Sequence, residues 1–186
     1  MRFIRTHALS LAAFLWGVAE ATLFFIVPDV ILSYIGVRQG PRAAAKASLI
    51  AAFGAGVGGV AMYLWSQSDP AAAREAVLAV PAISAEMAAR AEAAMRESWF
   101  WATFLGPLTS TPYKLYAIVA PQLSINLPAF ALASVAARLP RFLIVGVGAG
   151  LIAQKLRPRL GERGVYWLLA GCWLVFYLVF FALMPN

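Results

Sequence analysis

The sequence contains very few of the residues that most enzymes and metal proteins use. It has one cysteine, Cys172, and one histidine, His7, in 186 residues. A lone cysteine excludes a disulfide within the chain and a cysteine metal site. A single histidine argues against a histidine metal site or a catalytic triad. We therefore expect no metal, no cofactor and no catalytic activity.

Charged residues are also scarce. They make up 12% of the chain, whereas a typical soluble domain has roughly a quarter. Hydrophobic residues make up 62%, and the mean hydropathy is +0.78. A soluble fold of this length could not bury so much apolar surface. The composition therefore predicts an all-α integral membrane protein with a single domain, residues 1–186.

The net charge of +7 comes from short basic clusters between apolar stretches. No basic face interleaved with aromatic residues is present on which nucleic-acid bases could stack, so we expect no nucleic-acid partner. The clusters instead resemble the lysine and arginine of cytoplasmic loops. Nine cations belong to them: Arg2, Arg5, Arg38, Arg42, Lys46, Lys155, Arg157, Arg159 and Arg163.

Hydropathy divides the chain into several segments. A spanning helix needs about 20 apolar residues, and three stretches fit that description: 43–65, 125–153 and 164–184. The stretch 66–97 is polar and rich in alanine, and it predicts helix lying beside the membrane. Within it, Ser84 followed by Glu86 is typical of a capped helix start, and we expect a helix from there to about Arg96.

Two further apolar stretches, 8–36 and 98–121, are interrupted. The first contains Glu20 and Pro28, and the second is broken by Pro107 and Pro112. Because proline breaks the helical hydrogen-bond ladder, such segments are typical of re-entrant hairpins and discontinuous helices. Counting cations does not separate this arrangement from one in which both stretches span the membrane. Each places nine flanking cations on one side and three on the other.

Five charged residues fall in sequence at membrane depth: Glu20, Asp29, Lys114, Arg138 and Arg141. A charge at the bilayer centre costs on the order of 3 kcal/mol or more. These side chains should therefore pair with one another or line a wet cavity. The alternative is that they lie near the interface and extend to the lipid headgroups. That alternative is strongest for Asp29 and Arg141.

The glycine-rich run at Gly54, Gly58 and Gly59 is not a phosphate-binding loop. It lies in an uncharged apolar segment, with no strand before it and no Lys-Ser or Lys-Thr pair after it. Small residues at four-residue spacing let membrane helices approach closely, so this run predicts helix packing.

Four stretches in order resemble the motifs of the DedA family, also called the VTT or SNARE-associated-Golgi superfamily. They are residues 20–29 (EATLFFIVPD), 54–63 (GAGVGGVAMY), 111–120 (TPYKLYAIVA) and 130–142 (FALASVAARLPRF). The similarity covers roughly residues 15–152. Asp29, Gly59 and Pro121 depart from the usual family pattern, as expected for a divergent branch.

The resemblance implies two facing re-entrant hairpins that meet near the bilayer midplane. It also implies movement of polyprenyl phosphate or phospholipid across a bacterial inner membrane, coupled to protons or other ions. Lys114, Arg138 and Arg141 would then bind the phosphate headgroup, and Glu20 and Asp29 would carry the coupled ion. Arginine and lysine both suit phosphate, arginine in a bidentate manner.

Membrane lipids are the expected partners, and the chain is compatible with a homo-oligomer. A multi-pass topology with a cytoplasmic N-terminus and an external C-terminus is expected. Two other functions stay open: a small-solute or ion transporter that uses the same charges, and a scaffold that transports nothing.

Overall fold

The described secondary structure is entirely helical. The computed structural model describes residues 2–106 and 111–183, and no strand occurs in those ranges. The all-α prediction is therefore confirmed. The helices are α1 (Arg2–Ala21), α2 (Asp29–Gln39), α3 (Pro41–Ser68), α4 (Pro70–Leu78), α5 (Ala85–Leu105), α6 (Tyr113–Val119) and α7 (Leu127–Leu183), with a 3₁₀ turn at Ala120–Leu123.

Helix α3 is the central element, and α1, α2, α6 and α7 all pack against it. Gly54 lies against the carbonyl of Phe14, and Gly58 lies against that of Val18. Because the contacts advance in the same direction along both helices, α1 and α3 run parallel. The absence of side chains at these glycines allows the two backbones to approach closely.

The first chain reversal lies beside the middle of α3, not at its end. Helix α1 ends at Ala21, which contacts Gly58, whereas α3 continues for ten more residues to Ser68, a rise of about 15 Å. The chain turns over residues 22–28, and α2 then returns to the start of α3. The Trp16 Nε1 donates a hydrogen bond of 2.9 Å to the carbonyl of Ile26 and so holds the turn.

Helix α5 approaches from the opposite end of α3. The Ser84 hydroxyl accepts a hydrogen bond of 3.2 Å from the Met87 amide, which confirms the helix start expected from the sequence. The helix runs further than expected, to Leu105. Ser98 has extended backbone angles (φ −157°, ψ 95°) and divides the polar first part of the helix from its apolar end.

The start of α6 also lies beside the middle of α3. Tyr113, at the start of α6, places its hydroxyl against Gly59, and α6 then runs parallel to α3. Towards the end of α6, the carbonyl of Ile118 accepts a hydrogen bond of 2.6 Å from the Ser66 hydroxyl. The end of α1, where the first reversal begins, and the start of α6 therefore meet at adjacent residues of α3, Gly58 and Gly59.

Helix α7 changes direction at Gly161. Its φ of 69° and ψ of 174° belong to a region that essentially only glycine occupies. Residues 127–160 run antiparallel to α3, with Gly146 beside Ser48 and Gly150 beside Pro41. Residues 162–183 then run back along α2, and the Tyr166 ring lies 6.1 Å from the Tyr34 ring.

Among the described residues, two helices are long and apolar enough to cross a membrane, α3 and α7. Three spanning helices were expected. The difference arises because the expected segments 125–153 and 164–184 belong to one helical element, α7, which a single glycine divides.

The basic clusters at 38–46 and 155–163 lie at the same end of the bundle. Arg157 Nη2 donates a hydrogen bond of 2.7 Å to the carbonyl of Val37, and Gly150 contacts Pro41. The polar segment 66–97 lies at the opposite end of α3. This geometry agrees with the re-entrant arrangement and not with one that separates the two clusters. The side of a membrane that each end faces stays a prediction.

Candidate functional site

A cavity of about 170 Å³ lies where the first reversal meets the start of α6. Four of the five charged residues singled out in the sequence line it: Glu20, Lys114, Arg138 and Arg141. They come from three helices that are distant in sequence, α1, α6 and α7. The fifth, Asp29, is paired with Arg141. The fold therefore brings together all five charges in one cluster.

Glu20 and Arg138 form a buried ion pair on the cavity wall. Their side chains are 8% and 2% exposed, respectively. The guanidinium carbon of Arg138 lies 4.7 Å from the centre of the Tyr113 ring and 5.7 Å from that of Phe142. Such cation–π contacts favour a desolvated arginine. Arg138 is therefore fixed both by an acid and by two aromatic faces.

Tyr113 is itself held in place by a short chain of hydrogen bonds. Its hydroxyl donates to the Ser134 hydroxyl at 2.5 Å, and Ser134 donates to the carbonyl of Phe130 at 2.6 Å. Buried polar groups that are satisfied in this way make a local structure rigid. The position of Arg138 thus depends on α6 as well as on its own helix.

Asp29 and Arg141 form the second ion pair, with Oδ2 and Nη2 2.7 Å apart. Asp29 is buried, whereas Arg141 is partly exposed to the cavity. Asp29 is the first residue of α2, where the helix dipole favours a negative charge. The alternative that these two residues extend to the interface does not describe Asp29, because its side chain is buried and paired with Arg141.

Lys114 differs from the two arginines. It is 3% exposed, and no carboxylate lies within ion-pairing distance of it in the described part of the chain. Its Nζ instead donates a hydrogen bond of 2.8 Å to the carbonyl of Phe24, in the first reversal. This bond joins α6 to the first reversal.

The cluster carries an uncompensated positive charge. Three cations (Lys114, Arg138 and Arg141) face two carboxylates (Glu20 and Asp29), so the formal sum is +1. A buried charge without a partner is costly unless it is met by an ion or by oriented dipoles. The arrangement is therefore suited chemically to hold an anion next to Lys114.

The sequence did not reveal the aromatic wall of the cavity. Phe25 comes from the first reversal, and Phe176, Tyr177 and Phe180 come from the last part of α7. The Tyr177 hydroxyl accepts a hydrogen bond of 3.1 Å from the Val27 amide, which holds α7 against the reversal. The aromatic run of α7 is visible in the sequence, but there it is only part of an apolar segment, 164–184. Val80, Pro81, Ala82 and Ile83, between α4 and α5, complete the lining together with Thr111 and Pro112.

The glycines expected to pack helices all lie at close contacts. Gly54 and Gly58 face α1, and Gly59 faces the Tyr113 hydroxyl. No group of three or more His, Cys, Asp and Glu side chains that could hold a metal ion occurs within the described ranges.

The fold and the site together define an all-α protein with a charged cavity between the first reversal, the start of α6 and α7. Protein-family models, curated proteins and solved structures give no match to this chain. The resemblance to the DedA family therefore stays a prediction that rests on the sequence motifs.

Proposed function

We propose that this protein is a multi-pass membrane transporter that moves a phosphate-bearing lipid, such as a polyprenyl phosphate or a phospholipid, between bilayer leaflets as a flippase or scramblase. The observation that carries the proposal is the excess positive charge of the cavity, centred on Lys114. The proposed location is a bacterial inner membrane.

The outer surface of the bundle supports a membrane location. Large apolar side chains on α3 and α7 point outward; Leu132, for example, is 74% exposed, and Phe53 and Ile144 are similarly exposed. Monomeric soluble proteins rarely leave such apolar surface open to water. A hydrocarbon environment would cover it without cost.

The first reversal also suits a membrane transporter. Non-helical backbone at membrane depth is tolerated where protein or a wet cavity satisfies its polar groups. Here Trp16, Lys114 and Tyr177 each bond to the backbone of the first reversal. Transporters often place their substrate sites beside such discontinuous helices.

The size of the cavity favours a headgroup over a whole lipid. Sites that enclose a drug-sized molecule usually measure about 300–1,000 Å³, whereas this cavity measures about 170 Å³. A phosphate beside Lys114, Arg138 and Arg141 would be met by one point charge and two guanidinium groups. The lipid tail would stay outside, in the bilayer.

Glu20 and Asp29 are the proposed carriers of a coupled proton or other cation. Each is buried, and each is paired with an arginine. Neutralising either carboxylate would free its arginine to bind the phosphate more strongly. Headgroup binding and ion binding would then be linked through shared partners, as coupled transport requires.

The test is lipid translocation in proteoliposomes, with a labelled anionic lipid compared with a labelled zwitterionic one at two pH values. Lys114→Met removes the unpaired charge while it keeps the side-chain length, and Lys155→Met at the exposed basic end is the matched control. We expect wild type and the Lys155 variant to move the anionic lipid and the Lys114 variant to lose most of that activity.

A folded wild-type protein that moves no anionic lipid would end this proposal. Uptake of a water-soluble anion that does not depend on lipid would instead favour the small-solute transporter. A scaffold would show no transport, and substitutions at Glu20 and Arg138 would then change only stability.

A further inference from the structure

We infer that the hydrocarbon chain of the bound lipid leaves the cavity between the first reversal and the last part of α7, along the rings of Phe25, Phe176 and Phe180. This inference rests on the proposed function and adds to it a path for the tail. The rings of these three residues, together with that of Phe181, are called the aromatic exit below.

The aromatic exit is one connected surface. The rings of Phe25 and Phe181 lie 5.8 Å apart, those of Phe180 and Phe181 lie 5.2 Å apart, and those of Phe176 and Phe180 lie 6.1 Å apart. Phe25, Phe176 and Phe180 also line the cavity that holds Lys114. The rings therefore border the charged side chains of the cavity, and each ring also lies next to another ring of the group.

The exit reaches the outside of the bundle. Phe176 is 44% exposed and Phe25 is 38% exposed, although both line the cavity. An apolar path thus leads from the charged side chains of the cavity to the outer apolar surface of the bundle. A bound molecule with an anionic head and a hydrocarbon chain would match both ends of this path.

Polar contacts as well as ring contacts hold α7 against the first reversal and α2. Polar bonds anchor this part of the helix: Trp173 Nε1 donates to the Ser33 hydroxyl at 2.9 Å, and the Tyr177 hydroxyl accepts from the Val27 amide at 3.1 Å. Phe176 and Phe180 lie on either side of the second anchor and leave ring surface open.

The other side of the cavity is less suited to the hydrocarbon chain of a lipid. It is lined by residues 80–83, which connect α4 to α5 at the polar end of the bundle. That end carries five acids, Asp69, Glu75, Glu86, Glu92 and Glu97, against three arginines, Arg74, Arg90 and Arg96. A free phosphate could pass there, but a hydrocarbon chain would have to lie against charged helices.

The experiment uses the whole protein in proteoliposomes that contain phosphatidic acid with a photoreactive diazirine in its acyl chain. Phosphatidylcholine with the same labelled chain is the control for lipid that merely surrounds the protein. After irradiation, the labelled positions are mapped by mass spectrometry, and transport of each lipid is measured in the same vesicles.

We expect phosphatidic acid to label Phe25 and residues 176–181 at least several-fold more than phosphatidylcholine does. Lys114→Met should abolish this excess. The double variant Phe176→Ala/Phe180→Ala should reduce the remaining excess at Phe25 and the transport of phosphatidic acid by about two- to tenfold, the range expected for lost aromatic contacts. Phe53→Ala, which removes a more exposed ring away from the cavity, should change neither.

Equal labelling by the two lipids, or an unchanged excess in the double variant, would overturn the inference. If phosphatidic acid were still transported and Lys114→Met still reduced that transport, the proposed function would survive, and only the tail path would be wrong. If wild type neither bound nor transported phosphatidic acid, and moved no polyprenyl phosphate either, the proposed function would fail together with the inference.

Discussion

Breaking the buried pair of Glu20 and Arg138 tests whether the cavity is organised as described. Both side chains are more than nine-tenths buried, and Arg138 also lies against the faces of Tyr113 and Phe142. Removing one partner of a buried ion pair leaves an uncompensated charge and costs about 3–5 kcal/mol. We therefore expect Glu20→Gln and Arg138→Met each to lower the free energy of unfolding by about that amount.

The two losses should not add. Once one partner is gone, removing the other also removes the stranded charge, so the double variant should be more stable than the sum of the single losses predicts. Contacting residues of this kind show interaction energies of about 0.5–3 kcal/mol. The free energy of unfolding can be measured by titrating a denaturing detergent into mixed micelles and following tryptophan fluorescence and helical circular dichroism.

The exposed pair Glu86–Arg90 provides matched controls, because both of its side chains are more than half exposed. Glu86→Gln and Arg90→Met make the same chemical changes outside the cavity, and such surface pairs contribute about 0.5 kcal/mol or less. If Arg138→Met were as mild as Arg90→Met, or if the Glu20 and Arg138 losses simply added, the pair would not be the buried and coupled unit described here.

The remaining predictions concern the packing and ends of the helices, and each can be measured with the same unfolding assay. Gly36→Ala would place a methyl group onto the backbone carbonyl of Gly146 and should lower the free energy of unfolding by about 1–3 kcal/mol. Gly148→Ala meets open space and should raise it by about 0.5–1 kcal/mol. Equal effects of the two substitutions would contradict the α2–α7 contact. Gly161→Ala should cost about 1–3 kcal/mol because of its backbone angles, and an unchanged stability would argue against the bend in α7. Ser84→Ala should cost about 1 kcal/mol through the lost bond to Met87, unless the cap is not formed in solution.

Some features of this protein follow from local sequence. The helical class, the apolar segments and the helix start at Ser84 depend on composition, on hydropathy and on one side-chain bond to a nearby amide. The choice of charged residues also needed no fold. Glu20, Lys114 and Arg138 are costly to bury wherever they lie in an apolar segment, so each indicated a paired or functional group.

Other features depended on contacts between residues far apart in the chain. Counting cations could not decide whether the basic clusters at 38–46 and 155–163 share one side, because both arrangements give the same count. The structure places them at one end through contacts such as Arg157 with Val37, 120 residues apart. Hydropathy also could not show that the last two apolar segments belong to one helical element, α7, which bends at Gly161.

What the sequence alone determined is the chemistry available: an apolar helical chain with two acids and three cations in segments where charge is expensive. Only the tertiary structure decided how those charges are used. It paired Glu20 with Arg138 and Asp29 with Arg141, left Lys114 bonded to a backbone carbonyl, and placed the rings of α7 beside them. The physical reason is that pairing depends on which faces the parallel and antiparallel helices present to one another. The glycine run predicted close packing, but only the fold shows that Gly58 meets α1 and that Gly59 meets Tyr113 of α6.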